Sequence, residues 1–170
     1  MYVIFEGLDK VGKGTLEHEF LKITNFKHIV IDRGPVGYWF FDKLFNRETI
    51  TGVEEYKKQI DEINNSGNFY VIYLRTNVEE VSRRMRKWNE AFMYDYEKAQ
   101  EEYELMLLEN YNDEILFRLD TTNLSIKDAA IKIIKAFGSY KNPLFIMDNY
   151  YHHIYTLEEK NERRTNNEKV

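Results

Sequence analysis

The chain of 170 residues is 43% apolar and 15% aromatic, which is typical of one globular domain and not of a disordered chain. Its formal net charge of −5 disfavours a broad nucleic-acid-binding surface, and the absence of cysteine excludes disulfides, thiolate metal sites and a cysteine nucleophile. No apolar run is long enough for a membrane helix, and Met1 leads directly into a predicted strand. We therefore expect no signal peptide, no membrane partner and a cytoplasmic location.

A phosphate-binding loop follows the first predicted strand, at residues 2–5. The sequence Gly7-x4-Gly12-Lys13-Gly14-Thr15 lets the backbone turn tightly and aim its N–H groups at phosphate oxygens. Lys13 would place its charge at the β- and γ-phosphates, beside the positive end of the next helix, and is expected to face solvent. Gly14 separates Lys13 from Thr15, a departure by one position from the strict motif, in which the hydroxyl ligates Mg²⁺. The residues predicted to bind the phosphates of ATP are Gly7, Lys10, Val11, Gly12, Lys13, Gly14 and Thr15.

Apolar periodicity predicts alternating helices and strands along the rest of the chain. A short helix follows the loop, and residues 27–32 are predicted to form a buried strand that ends on Asp32. Helices at 36–45 and 53–65 and a strand at 69–74 come next. A capping box at Thr76 opens another helix. The remaining predicted features are an apolar stripe of Val78, Val81, Met85 and Trp88, a second stripe of Tyr96, Ala99, Tyr103 and Leu107, a strand at 115–119, and a last helix capped by Ser125.

Strands that alternate with helices indicate a three-layer α/β fold, with a reduced parallel sheet of about four strands between helices. One domain is predicted at residues 1–157. Within it, residues 138–157 form an aromatic C-terminal extension that packs on the domain or on another subunit, which leaves a homodimer open. Residues 158–170 are charged and aperiodic, which indicates a disordered tail.

The second candidate for chemistry is the pair Asp32-Arg33. An apolar strand that ends on a carboxylate beside the first strand is where phosphate-loop proteins hold Mg²⁺ or place a catalytic base. Arg33 could bind a phosphate with two guanidinium N–H groups. The alternative is a pair that only caps the strand end.

The third candidate is the basic run from Arg83 to Lys87. If Met85 lies on the buried side of its helix, the neighbouring basic residues project away from the core. Arg83 and Arg86 could then neutralise the charge of a transferring phosphoryl group. The alternative is a solvated helix face, balanced by the acidic helix that follows.

These motifs together resemble a shortened, phage-type member of the thymidylate kinase family. The resemblance is carried by Phe5-Glu6-Gly7-Leu8-Asp9-x-x-Gly12-Lys13, Asp32-Arg33, and the strand 70–75 followed by Arg83 and Arg86. It implies a P-loop kinase fold, ATP as phosphoryl donor and Mg²⁺. It also implies that Asp9 contacts the sugar of the acceptor nucleotide, that Asp32 and Arg33 bind metal and acceptor phosphate, and that Arg83 and Arg86 close over the donor. Lys10, where some members have arginine, would reach the γ-phosphate.

The chain departs from this family between the loop helix and Asp32, where the family has a further strand, helices and an acceptor-binding segment. The acceptor pocket would have to be rebuilt, with Tyr38 and Trp39 as candidate contacts beside Phe40 and Phe41. Aromatic residues at these positions belong to the core more often than to a base-stacking platform.

We therefore predict transfer of phosphate from ATP to a deoxynucleoside monophosphate, a reaction of deoxynucleotide metabolism. The predicted catalytic residues are Lys13, Asp32, Arg33, Arg83 and Arg86, the acceptor contacts are Asp9, Arg33, Tyr38 and Trp39, and the metal ligands are Thr15 and Asp32. Two alternatives stay open. One is a kinase that acts on DNA or RNA, at a 5′ end or a modified base, and the other is a nucleotide-binding regulatory protein without catalysis.

Overall fold

The computed structural model describes residues 1–47 and 51–139. The chain divides into two units, Met1–Ile134 and Lys135–Val170, and the sheet and the site described below lie in the first. Apart from residues 138–139, which end the last helix, the predicted extension and tail lie outside the described residues.

Four strands and six helices alternate along this part of the chain. The elements are β1 (Tyr2–Glu6), α1 (Lys13–Ile23), β2 (Ile29–Asp32), α2 (Pro35–Leu44), α3 (Val53–Ser66), β3 (Phe69–Arg75), α4 (Val78–Lys87), α5 (Tyr96–Asn110), β4 (Leu116–Asp120) and α6 (Ile126–Ser139). The strands pair in the order β2-β1-β3-β4, and every pair is parallel. The predicted fold class is confirmed. In the described part of the chain, no helix has the length and apolar character needed to span a membrane.

The parallel arrangement brings the carboxyl ends of all four strands to one edge of the sheet. Glu6 ends β1, Asp32 ends β2 and Asp120 ends β4, so three acidic residues lie at this edge. β1 and β3 lie in the centre and are buried on both faces, which explains their continuous apolar runs.

The prediction that β2 is a buried strand is wrong. Ile29 is 54% exposed, and Asp32 is exposed as well. β2 lies at the edge of the sheet, where it pairs only with β1, so its apolar side chains are covered less completely. An apolar run by itself does not distinguish an edge strand from a central one.

The two helices α4 and α5 differ in how well they follow the predicted apolar stripes. On α5, Tyr96, Ala99, Tyr103 and Leu107 are all buried, as predicted. On α4 only Val81 is fully buried, while Trp88 follows the last helical residue and is 66% exposed.

The cap of α4 also differs from the prediction. Asn77 is the N-cap, and its side chain accepts a hydrogen bond of 2.9 Å from the backbone N–H of Glu80. Thr76 is buried instead, 3.2 Å from the hydroxyl of Thr122 beyond β4. Thr76 therefore ties two strand ends together.

Candidate active site

The loop between β1 and α1 has the backbone that its glycines predict. Gly7 and Gly12 have φ angles of 141° and 101°, and Lys10 has a φ of 64°. A Cβ atom on Gly7 would lie 2.5 Å from the carbonyl oxygen of Leu74, so no larger residue fits there. The loop therefore packs directly on β3 before α1 begins at Lys13.

Lys13 lies inside this loop, with 9% of its surface exposed. Its Nζ donates hydrogen bonds to the carbonyl oxygens of Gly7 at 2.8 Å and Leu8 at 3.0 Å. Burial, and next the charge of Arg33, lower the pKa of Lys13. The expectation that Lys13 faces solvent is wrong, because the loop folds around the ammonium group. That group is held where phosphate oxygens would meet it.

Two carboxylates lie together beside the first turn of α1. Asp32 ends β2, and Glu17 lies next to it on α1. Burial, and then the charge of Asp32, raise the pKa of Glu17 to about 7. Thr15 is exposed on the same turn. The sequence analysis missed Glu17, although its position four residues after Lys13 places both on one face of the helix.

Arg33 has a left-handed backbone conformation, with a φ of 71°. Its guanidinium carbon lies 3.8 Å from the centre of the Phe41 ring, and Nη2 is 3.3 Å from Oδ1 of Asp9. The buried Nε of Arg33 has no hydrogen-bond partner. The guanidinium group therefore packs over an aromatic ring, and 22% of the side chain stays exposed.

A fully buried carboxylate, that of Glu6, determines where Arg33 lies. Its Oε1 accepts hydrogen bonds from the backbone N–H groups of Gly34 at 3.1 Å and Gly37 at 3.3 Å, and Oε2 accepts one of 2.6 Å from Tyr103. Glu6 thus caps the amino end of α2 directly after Arg33. Burial raises the pKa of Glu6, and the bond from Tyr103 opposes that rise. The sequence signal that was missed is a glutamate at the end of an apolar central strand.

Arg84 is the residue of the basic run that contacts the loop. Its Nη1 donates to the carbonyl oxygen of Lys10 at 2.9 Å, and its Nε donates to Oε1 of Glu80 at 2.8 Å. Arg84 follows the buried Val81 by three residues, so it lies on the side of α4 that faces the loop. The sequence alone does not distinguish Arg84 from its basic neighbours.

The other predicted basic residues pair within their own helix or with other acidic side chains, and Arg83 also lines the same cavity as Gly12 and Thr15. Arg83 donates to both carboxylate oxygens of Glu80 and is exposed, and Arg86 donates to the carbonyl oxygen of Ser82 at 3.3 Å. Lys10 forms an ion pair of 2.7 Å with Glu90, beyond the end of α4. The structure therefore does not bring Arg83 and Arg86 together with Lys13, and their catalytic roles stay predictions.

Two cavities adjoin the two halves of the loop. The Thr121 cavity, of about 460 Å³, adjoins the second half and is lined by Gly12, Thr15, Arg84, Thr121, Ser125 and Ala129 among others. The Tyr96 cavity, of about 280 Å³, adjoins the first half and is lined by Asp9, Lys10, Met85, Phe92, Tyr94 and Tyr96 among others. A third cavity, of about 560 Å³ between α3 and the end of α5, contains none of the predicted site residues.

The aromatic residues predicted for the acceptor site lie on α2. Phe40 and Phe41 are buried, and Phe40 stacks on Tyr103 at 4.5 Å, so these two belong to the core. Tyr38 is 52% exposed and Trp39 is half-buried. Neither Tyr38 nor Trp39 lines the Thr121 cavity or the Tyr96 cavity.

Solved structures share this fold at low sequence identity. The YorR protein from Bacillus subtilis, in complex with phosphorylated GDP, aligns with a TM-score of 0.66 and 17% identity over 81% of this chain and 96% of its own. Deoxyadenosine kinase from M. mycoides, with the products dCMP and a flexible dCDP bound, aligns with a TM-score of 0.53 and 19% identity over 83% of this chain and 100% of its own. The same kinase with bound dCTP aligns with a TM-score of 0.54 and 18% identity over 82% of this chain and 100% of its own. No protein family and no curated protein matches the sequence. The likeness shows that the chain has a fold of the P-loop kinase type.

Proposed function

We propose that the protein transfers the γ-phosphoryl group of ATP to a deoxynucleoside monophosphate. The observation that carries the proposal is the position of the Lys13 ammonium group, which is enclosed by a loop with one cavity at each half. A transferase needs two nucleotide sites that meet at one phosphate position, and a cavity at each half of the loop supports such an arrangement. The neighbours that bind nucleotides, YorR and deoxyadenosine kinase, support a nucleotide substrate.

The Thr121 cavity is the proposed donor side. It lies against Gly12 and Thr15, where the backbone N–H groups of the loop and the first turn of α1 point to the phosphates of ATP. Arg84 lines this cavity and touches the loop, so its charge lies near the donor phosphates. Arg83, which the resemblance places over the donor, lines the same cavity.

The proposed acceptor side is formed by Asp9 and Arg33. An oxygen of the acceptor phosphate attacks the γ-phosphorus, the bond to the bridging oxygen breaks, and ADP leaves with that electron pair. Lys13 and Arg33 balance the charge that spreads over the transferring group. The partly exposed guanidinium group of Arg33 favours an acceptor that already carries a phosphate.

Mg²⁺ fits the oxygen ligands beside the loop. Thr15 offers a hydroxyl, and Asp32 and Glu17 offer neighbouring carboxylates whose mutual repulsion a cation would relieve. The described residues contain no cluster of three or more histidine, cysteine or acidic side chains that could hold a metal ion. Phosphate oxygens and water would therefore complete the coordination of Mg²⁺. A bound Mg²⁺ would neutralise charge on the phosphates.

A second candidate acceptor is a deoxynucleoside with a free 5′-hydroxyl. The neighbouring deoxyadenosine kinase has dCMP as a product, and a hydroxyl acceptor needs a base, for which the carboxylates of Asp32 and Glu17 are suited. We rank this second, because the cationic pair of Lys13 and Arg33 would then have no acceptor phosphate to bind.

Labelled ATP tests these proposals directly. The protein is incubated with Mg²⁺ and, separately, with each deoxynucleoside monophosphate, each deoxynucleoside, and DNA and RNA oligonucleotides. We expect label on a monophosphate, and its loss in Lys13→Met. Label only on deoxynucleosides would support the second candidate, label only on oligonucleotides would contradict both, and binding of ATP without transfer to any acceptor would favour a regulatory protein.

A further inference from the structure

Thr121 connects the end of β4 to the phosphate-binding loop. It follows β4 directly, and only 6% of its surface is exposed. Its hydroxyl oxygen lies 3.2 Å from the carbonyl oxygen of Val11 in the loop and 3.1 Å from the carbonyl oxygen of Arg75 at the end of β3. The backbone N–H of Thr121 already donates to the Arg75 oxygen at 2.8 Å. The hydroxyl hydrogen is therefore available to the carbonyl oxygen of Val11.

A hydrogen bond to the Val11 carbonyl also sets the direction of the next backbone N–H. The carbonyl and the N–H of one planar trans peptide unit point in opposite directions, so the N–H of Gly12 points away from Thr121. Gly12 has a φ of 101°, and because it has no Cβ its backbone dihedrals are weakly restricted. A donor on the Val11 carbonyl therefore restricts this peptide unit to one orientation.

The preceding peptide unit of the loop is held in the same way. Arg84 donates to the carbonyl oxygen of Lys10 at 2.9 Å, and the N–H of that unit belongs to Val11. Two consecutive carbonyls thus have donors that lie outside the loop. Consecutive backbone N–H groups that point to one side form a concave site for anions. Arg84 and Thr121 both line the Thr121 cavity, which adjoins Gly12.

We propose that Thr121 is a positioning residue for the donor: its hydroxyl donates to the carbonyl oxygen of Val11 and so holds the N–H of Gly12 toward the phosphates of ATP. The inference rests on the proposed function, because it takes the Thr121 cavity as the donor side. The hydroxyl acts through Val11 and needs no contact with ATP. Its removal should weaken binding of the donor and leave the acceptor side at Asp9 and Arg33 unchanged.

The first test measures ATP binding by calorimetry in three variants. Thr121→Val removes the hydroxyl and keeps the shape of the side chain, whereas Thr121→Ser keeps the hydroxyl. The matched control is Thr76→Val, which removes a buried hydroxyl at the end of β3 whose partner is the hydroxyl of Thr122, 3.2 Å away. Both valine variants lose one buried hydroxyl, so a general loss of stability affects both.

Loss of one N–H directed at a charged phosphate should raise the Kd for ATP about 10-fold in Thr121→Val. Thr121→Ser and Thr76→Val should bind ATP like the wild type, and all three variants should bind the preferred deoxynucleoside monophosphate equally well. Equal Kd values for ATP in Thr121→Val and Thr76→Val would overturn the proposal. Binding by Thr121→Ser as weak as that by Thr121→Val would also overturn it.

The second test observes the N–H of Gly12 by NMR. Labelling glycine with ¹⁵N and the valine carbonyl with ¹³C selects the two Val-Gly pairs of the chain, Val11-Gly12 and Val36-Gly37. The N–H of Gly37 donates to Oε1 of Glu6 at 3.3 Å, so its signal is an internal reference. Val36→Ile removes the Gly37 signal from the selected pair and thereby assigns both.

Saturating ATP with Mg²⁺ should move the Gly12 proton downfield in the wild type, because a hydrogen bond to an anionic oxygen deshields it. The movement should be as large in Thr76→Val and smaller in Thr121→Val. Equal movement in the two variants would overturn the proposal. If Thr121→Val does not fold, the wild type still decides, because a Gly12 signal that ATP leaves in place contradicts the proposed direction of this N–H.

Both tests are independent of phosphoryl transfer, because neither requires an acceptor to react. If labelled phosphate reaches a monophosphate while Thr121→Val binds ATP like Thr76→Val, the activity stands and the role of Thr121 is wrong. If no acceptor takes label but ATP moves the Gly12 signal to an extent that depends on Thr121, the role of Thr121 stands and the proposed reaction is wrong.

Discussion

The hydroxyl of Tyr103 donates a hydrogen bond of 2.6 Å to Oε2 of Glu6, across 97 residues of sequence. Both residues are fully buried, so this bond satisfies a carboxylate that has no access to water. The other oxygen of Glu6 binds the amino end of α2 through Gly34 and Gly37. One side chain of β1 therefore holds together the strand that precedes the loop, the helix that follows Arg33, and α5.

Tyr103→Phe should lower the free energy of unfolding by about 1–3 kcal/mol, because a buried carboxylate loses its shortest hydrogen bond. The matched control is Tyr73→Phe, which removes a longer bond of 3.3 Å to the carbonyl oxygen of Gln100 and should cost less. Urea unfolding of both variants measures the difference. Equal losses of unfolding free energy in the two variants would mean that the hydrogen bond from Tyr103 to Glu6 contributes no more than the longer bond of Tyr73.

Lys13→Met should reduce phosphoryl transfer by about 10²- to 10³-fold, because one fixed charge aimed at the transferring group is lost. Methionine keeps the packing of the buried stem, so circular dichroism should show an intact fold. Lys22→Met, on the exposed last turn of α1, is the control and should retain full turnover. Normal turnover of Lys13→Met would contradict the proposed reaction.

Among the arginines of α4, Arg84 should matter most for turnover. Arg84→Ala removes the contact with the carbonyl oxygen of Lys10, whereas Arg86→Ala removes only a contact within its own helix. We expect a fall in kcat/KM for Arg84→Ala at least tenfold greater than for Arg86→Ala, about 1.4 kcal/mol in transition-state stabilisation. Steady-state kinetics measure the two losses. A larger fall in kcat/KM for Arg86→Ala than for Arg84→Ala would favour Arg86 as the catalytic residue.

Asp32→Asn should lower turnover and weaken its dependence on Mg²⁺, because the amide keeps the shape of the side chain and removes its charge. Nucleotide affinity in the absence of metal should stay similar. Titration of activity with Mg²⁺, together with calorimetry of ATP binding with and without the metal, tests this. An unchanged Mg²⁺ dependence, or loss of the fold, would make Asp32 a structural strand cap.

The stability of the protein should fall in mild acid partly through His28. Burial, and then the charges of the chain's amino terminus and Lys27, lower the pKa of this imidazole to about 4. In the unfolded chain it accepts a proton near pH 6.5, so protonation favours unfolding as the pH drops from about 6.5 to about 4. Above that window His28 is neutral in both states and contributes no dependence on pH.

His28→Phe isolates this contribution, because it keeps a ring against Phe20, whose centre is 5.6 Å away, and removes the titrating group. Urea unfolding at several pH values between 4 and 7.5 should give a shallower loss of stability in the variant than in the wild type. Parallel curves would show that carboxylates alone cause the acid sensitivity.

The sequence by itself predicted the loop, the buried stripe of α5 and the order of the elements, which depend on neighbours along the chain. The glycine spacing and Lys13 predict the loop, because turn geometry and backbone N–H direction are set by a few consecutive residues. The buried stripe of Tyr96, Ala99, Tyr103 and Leu107 follows from helical period, and the alternation of elements predicts the parallel sheet.

Tertiary structure decided what depends on distant partners. A local apolar run shows that a strand has buried faces but not whether β2 lies at an edge, and a basic run does not show which arginine turns toward the loop. Three features of the site depend on groups that are distant in the sequence or are oriented by the sheet. They are the burial of Lys13, the pairing of Glu17 with Asp32, and the hydrogen bond between Glu6 and Tyr103. Such polar contacts leave no periodic signal, because each needs only one residue at each end.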